Sequence, residues 1–322
     1  MQRVNGYKLL ANVIATGMFV GVASALSIQP AHADDPLAGS DTAIILGGTT
    51  QPTPSTEFAQ AAEYLYLHAL GFDDGATYST VCDMTGVDPC SAPLQVLTTP
   101  ELIEQGPSSL TAASDVTLAV ENEFHADPGA FSAEHPLTIF GYSQSATAES
   151  IAMTQLEEAG IPSDDLHFVF IGDPSLADTG VWPNLVPDMD TIFGSSLTNT
   201  ILTDLGFDGV LGNVTPDDLY PATIYSLDGD GVANFQQDFT AGGLLDPLVS
   251  VFTTHVEYLG LTSTEVADAT TSTDGDLTYV DISNNINTAD AWISAVFEHG
   301  AAGSGLLESV FQSLELYFTN TF

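Results

Sequence analysis

The chain has 322 residues, with 43 Asp and Glu against 2 Lys and Arg, and a formal net charge of −41 at pH 7. Both cations, Arg3 and Lys8, lie at the N-terminus, so nothing beyond them can neutralise phosphate; nucleic-acid binding, phosphate-loop and kinase chemistry, and docking on an anionic membrane through a basic patch are excluded. Hydrophobic residues at 44% and aromatics at 9% supply a core, so this is not the acidity of a disordered chain.

In chain order, Arg3 and Lys8 precede an apolar stretch over residues 9–28, then Pro30, Ala31-His32-Ala33 and Asp34-Asp35. This predicts a signal peptide over 1–33, cleaved after Ala33, and a secreted or cell-envelope protein; an uncleaved membrane anchor is the competing reading. Ala43-Ile44-Ile45-Leu46, closed by Gly47-Gly48, predicts a buried strand, and Phe58, Ala61, Leu65 and Ala69 share one face of a helix over 58–70. Cys82 and Cys90 are the only cysteines and bracket a turn-rich segment, which in an exported chain predicts one local disulfide; two free thiols are the alternative. Strands are expected at 94–97, 136–140 and 167–171, with helices at 110–124 and 144–159. That alternation predicts an α/β fold, a mostly parallel central sheet with helices on both faces.

From 173 to 221 the rhythm breaks into Pro/Gly-punctuated apolar patches, among them Val181-Trp182 and Ile192-Phe193. A structureless loop of this length is unusual, so a cap or lid insertion of short helices is expected over about 175–221. A strand at 223–227 follows, then a mostly helical 244–259 and amphipathic stretches at 289–298 and 305–318. All of 34–322 is read as one domain.

The chemistry centres on Gly141-Tyr142-Ser143-Gln144-Ser145, which follows a predicted strand and opens a predicted helix, the setting of a nucleophile elbow. Strand and helix pack closely there, so the positions two before and two after the serine must be small; Gly141 and Ser145 are. The competing reading is an ordinary strand–turn–helix connection with Ser143 as helix N-cap. A serine nucleophile needs a base, and here the acid precedes the histidine in chain order. Among His167, His255 and His299, His255 leads, because His167 begins a strand and His299 abuts Gly300. For the acid, Asp230 in Asp228-Gly229-Asp230-Gly231 leads, with Asp228 second and Asp173 third; a glycine-rich turn or weak Ca²⁺ loop is the competing reading. Backbone donors for an oxyanion are expected from Gln144 and from Thr49, with Gly48 as alternative.

These segments together resemble a known family. Ile44 to Pro54 with its Gly-Gly-Thr and Pro-Thr-Pro, Phe140 to Ala146, Asp230 to Phe235 and His255-Val256-Glu257-Tyr258 look like the PE-PPE domain. These are actinobacterial serine hydrolases of the α/β-hydrolase fold, akin to cutinases, and the likeness spans roughly residues 40–265. The resemblance implies a triad of Ser143, Asp230 and His255 and esterase activity on short- and medium-chain acyl esters. It departs from the family at Asn234-Phe235-Gln236, at the arginine-free 176–180, and in carrying a predicted signal peptide where a PE or PPE module is usual. The leading expectation is a secreted serine esterase acting through an acyl-enzyme, with no cofactor and no metal, on a neutral acyl-ester or lipid, and with envelope lipid contact through the lid. A cell-envelope acyltransferase and a non-catalytic surface or binding protein are the alternatives. Oligomeric state is not legible.

Overall fold

The computed structural model describes residues 35–73, 75–283 and 288–299. The expected signal peptide and the stretch 305–318 lie outside the described residues.

Eight strands form one sheet: β1 (Ala43–Ile45), β2 (Val81–Asp83), β3 (Leu94–Val96), β4 (Leu137–Tyr142), β5 (Leu166–Ile171), β6 (Ala222–Leu227), β7 (Thr270–Asp274) and β8 (Leu277–Ile282). Their spatial order is β2-β3-β1-β4-β5-β6-β8-β7, and every pairing is parallel except the terminal β7–β8 hairpin. β4, β5 and β6 are buried at every residue, as strands covered on both faces must be. Their side chains alternate between two cores with period two. Phe140, Tyr142, Val169, Ile171, Tyr225 and Leu227 enter one core; Leu137, Ile139, Phe168, Phe170 and Ile224 enter the other.

The first core is closed by α1 (Thr56–Ala62), which passes into one π turn and a short 3₁₀ turn ending at Leu70. The helix starts where Ser55 accepts the amide of Phe58 at 3.2 Å. The second core is closed by α2 (Gln105–Ala126) and α3 (Gln144–Ala159), packed against each other. α2 begins earlier than its apolar pattern predicts, because Pro107 is accommodated in its first turn.

The long β5–β6 connection carries α4 (Val181–Phe193) and α5 (Ser195–Asp204). With α6 (Phe235–Gly242) they build a small third core of Trp182, Leu185, Met189, Leu202, Val210 and Phe235. The helix expected over 244–259 is corrected: only α7 (Leu245–Ser250) forms, followed by turns. The chain wraps at its end, where the His255 amide bonds the Ser250 carbonyl at 2.9 Å. Cys82, on the edge strand β2, is disulfide-bonded to Cys90. A parallel sheet with crossover helices on both faces and a strand–turn–helix at its centre is the α/β-hydrolase architecture. No helix among the described residues is long and apolar enough to cross a membrane.

Candidate active site

β4 ends at Tyr142 and α3 starts at Gln144, so Ser143 is the single residue of the turn. Its backbone lies at φ 59, ψ −113, a conformation an L-residue adopts only when its surroundings enforce it. Its amide donates to the Ile171 carbonyl at 3.0 Å. Ser145 closes the turn from inside: its hydroxyl accepts the Tyr142 amide at 2.8 Å and reaches the Tyr142 carbonyl at 3.1 Å. The small residue required at this position thus adds a bond of its own. Gly141 has no such latitude, since a Cβ there would lie 2.5 Å from Glu149 Oε1.

The Ser143 side chain makes no cap bond to α3. It lies instead 2.7 Å from His255 Nε2. His255 Nδ1 lies 2.9 Å from both carboxylate oxygens of Asp230. With Nδ1 donating to Asp230, Nε2 is left as acceptor for the serine hydroxyl. Asp230 is fully buried, yet its carboxyl is held below the ordinary range. Burial pushes it up, but the His255 charge, the His255 hydrogen bond, the Tyr258 hydroxyl at 2.7 Å and the Val232 amide at 2.8 Å outweigh that. Tyr258 is itself fixed, accepting from the Leu227 amide at 2.9 Å, while Tyr66 donates to its carbonyl at 2.6 Å. Tyr142 stacks on the imidazole, ring centroids 5.4 Å apart, and donates its hydroxyl to the His255 carbonyl at 2.7 Å.

The alternatives fall elsewhere. Asp228 is exposed. Asp173 accepts from the Thr215 hydroxyl at 2.6 Å and the Ser175 amide at 2.8 Å. His167 is buried against the Thr223 hydroxyl at 3.0 Å, and burial lowers it to about 4. His299 lines a groove of about 480 Å³, with Tyr64, Tyr78 and Leu261, that none of Ser143, Asp230 and His255 lines.

The 47–50 loop lies over Tyr142, so close that a Cβ on Gly48 would meet the ring at 2.9 Å. Gln105 Nε2 donates to Thr49 Oγ1 at 3.0 Å and to Gln144 Oε1 at 3.3 Å, tying this loop to the start of α3. The Gln144 amide sits in the first turn of a helix, where no intrahelical acceptor exists. Thr50 and Glu101 both have positive φ, 70 and 43, and the Thr50 amide bonds the Glu101 carbonyl at 2.7 Å. Burial pushes the Glu101 carboxyl up to about 8, although the Thr99 hydroxyl donates to it at 2.8 Å. Burial, with the carboxyls of Asp173 and Glu101 adding, raises Glu149 well above its usual range.

Sequence reasoning missed Gln105 and Tyr66, whose hydrogen-bond partners are distant in the chain, and Glu101 and Glu149, whose burial only the fold produces. Tyr258 carried a signal, standing in the quoted His255-Val256-Glu257-Tyr258, though not for its bond to Asp230. Chemically, the line of contacts can move a proton from a serine hydroxyl to an imidazole backed by a buried carboxylate.

The PE-PPE domain family profile matches residues 89–286. Among curated proteins, "Esterase PE16" of Mycobacterium tuberculosis is 27% identical over 261 residues, 77% of this chain and 43% of that one. "Uncharacterized PPE family protein PPE28" of the same species is 27% identical over 243 residues, 74% of this chain and 32% of that one. The chain thus spans less than half the length of these relatives. A solved cutinase-like protein from Cryptococcus sp. is similar at 16% identity and a TM-score of 0.34, covering 68% of this chain and 89% of its own.

Proposed function

We propose, for a chain that belongs to the PE-PPE domain family, that it is a secreted serine esterase working through an acyl-enzyme. The observation that carries this reading is the unbroken line from Ser143 Oγ through both nitrogens of His255 to Asp230, starting on a serine of positive φ. His255 Nε2 takes the hydroxyl proton as Ser143 Oγ attacks the ester carbonyl carbon. Asp230 holds the ring in the required tautomer and stabilises its cation. The carbonyl oxygen becomes an oxyanion, received by the amides of Gln144 and of Thr49 or Gly48. Collapse expels the alcohol, which takes the proton back from His255. Water, giving a proton to the same ring, then attacks the acyl carbon; the bond to Ser143 Oγ breaks, the acid leaves and Oγ takes that proton from His255.

A disulfide between Cys82 and Cys90 suits an oxidising compartment and supports export. The lack of Lys and Arg after residue 8 favours a neutral ester over an anionic one. Family likeness adds short to medium acyl chains. The test is labelling by a fluorophosphonate probe, followed by a p-nitrophenyl ester chain-length series. Wild type is expected to label and turn over, and Ser143→Ala to do neither; a Ser143→Ala chain with full activity overturns the reading.

A further inference from the structure

Large hydrophobic side chains left exposed are concentrated in one part of the described chain. Of the 15 such residues, ten fall at Leu102, Ile103 and within 192–249. They sit on adjoining elements, with α4 packed on α5 and α6, and α6 packed on α7. The loop bearing Leu102 and Ile103 joins the same region where the Gly106 amide bonds the Gly206 carbonyl at 2.8 Å. α7 is the extreme case. Leu245 is 72% exposed, Leu248 51% and Val249 60%, while Pro247 and Ser250 face inward.

The inward face of α7 is attached to the site. Ser250 Oγ accepts the amide of Gly231, next to Asp230, and the Ser250 carbonyl accepts the amide of His255 at 2.9 Å. At the other end of the region, Trp182 Nε1 donates to Thr147 Oγ1 in the first turn of α3 at 2.9 Å. The apolar face therefore belongs to the elements that frame Ser143 and carry its base.

Charge decides what can cover this face. Asp204, Asp208 and Asp246 are exposed within it, and no Lys or Arg follows residue 8 to offset them. An anionic bilayer is repelled. A second copy meets the same acids with no cation to pair them. An uncharged apolar surface meets neither obstacle.

We propose that α7 and the α4–α5 corner dock the enzyme on the surface of an aggregated neutral ester, so that its substrate is presented as a lipid phase. This rests on the esterase reading for the chemistry but not for the adsorption. The full chain carrying Ser143→Ala is mixed with trioctanoin droplets and with phosphatidylglycerol vesicles, and the bound fraction is read by flotation. Binding to droplets and not to vesicles is expected. Leu245→Ser/Leu248→Ser/Val249→Ser should weaken droplet binding by about tenfold or more, since the apolar area lost is what adsorbs. On the active chain, the same triple change should leave turnover of dissolved p-nitrophenyl acetate within about twofold while droplet hydrolysis falls about tenfold. Ile192→Ser/Leu197→Ser, outside α7, should act in the same direction and covers the case in which α7 misfolds. Unchanged droplet binding in both variants, or equal binding to the anionic vesicles, overturns the proposal. So does a dimer by sedimentation that the triple change abolishes while droplets are ignored. If wild type fails on the dissolved ester, the hydrolase reading falls, and flotation still decides the docking.

Discussion

Asp230 is a carboxylate kept ionised inside the protein by its partners. An isolated buried charge is strongly disfavoured, so His255, Tyr258 and the Val232 amide are what make it possible. Asp230→Asn preserves shape but lets the imidazole settle in the wrong tautomer, and kcat on a dissolved ester should fall on the order of 10⁴-fold. Asp228→Asn, on an exposed side chain, should stay within about twofold, and the pair of rates checks the assignment. Gly172 has φ 59, and a Cβ there would come 2.8 Å from His255 Cε1. Gly172→Ala should therefore displace the ring and lower kcat by about 10²-fold, with KM less affected. That Ser143, Asp230 and His255 lie together could be expected from the sequence because each stands in a local pattern: a strand–turn–helix serine, a post-strand Asp-Gly turn, a short list of histidines. Gly172 is not legible in this way, because its constraint is a ring 83 residues away that only the folded sheet brings to it.

At the scale of elements, what was readable depends on burial. α3 and the strands β4, β5 and β6 are legible nearly residue for residue, since both faces of the parallel sheet demand continuous apolar runs. β7 and β8 are not legible, because Thr270–Asp274 is polar and partly exposed, as an edge strand is, and Leu277–Ile282 is only partly buried and broken by Thr278 and Asp281. Only the turn between them, where Gly275 takes φ 57, left a trace in the sequence. α7 is shorter than its apolar residues predict: Leu244 to Leu259 is rich in them, but apolar content alone does not distinguish a helix from a wrapped turn. β2, three residues long at the sheet edge, is held by its pairing with β3 and by the disulfide. Closing a loop of 8 residues restricts the unfolded chain by about 2–3 kcal/mol. Cys82→Ser/Cys90→Ser should lower stability by that amount in a denaturant titration while esterase activity per folded molecule is retained, because neither cysteine touches the site.

The described residues are held together almost without ion pairs. Among the described residues the pairs are His68 with Glu63 at 3.5 Å and His255 with Asp230 at 2.9 Å. Stability rests on the apolar cores, and the carboxylates mainly repel. Burial pushes Glu101 up to about 8, Glu257 to about 7 with Glu265 adding, and Asp173 to about 6. Unfolded carboxyls release their protons near about 4, so these three cost stability as pH rises, until about 8 is passed. His167 acts oppositely: its lowered value makes stability rise with pH from about 4 to about 6.5, where the unfolded ring loses its proton. Asp230, depressed, withdraws its contribution only at more acid pH, as its carboxylate is protonated. Above about 6.5 nothing in this set opposes the decline. The melting midpoint should therefore fall by several degrees between about pH 6.5 and 8.5. Calorimetry across that range checks this, and a midpoint independent of pH contradicts it. Glu101→Gln should raise the midpoint more at pH 8 than at pH 5, since the neutral amide has no proton to lose.

The two halves of the proton path differ in how far they reach along the chain. His255 and Asp230 are 25 residues apart, whereas His255 and Ser143 are 112 apart. The first contact closes a short loop and can form early; the second waits until distant parts of the sheet have joined. On the proposed reading, a refolding chain should therefore join its base and acid before it gains its nucleophile. Reactivity of Ser143 towards a fluorophosphonate added during refolding should then lag the recovery of secondary structure, and labelling that keeps pace with it contradicts this order.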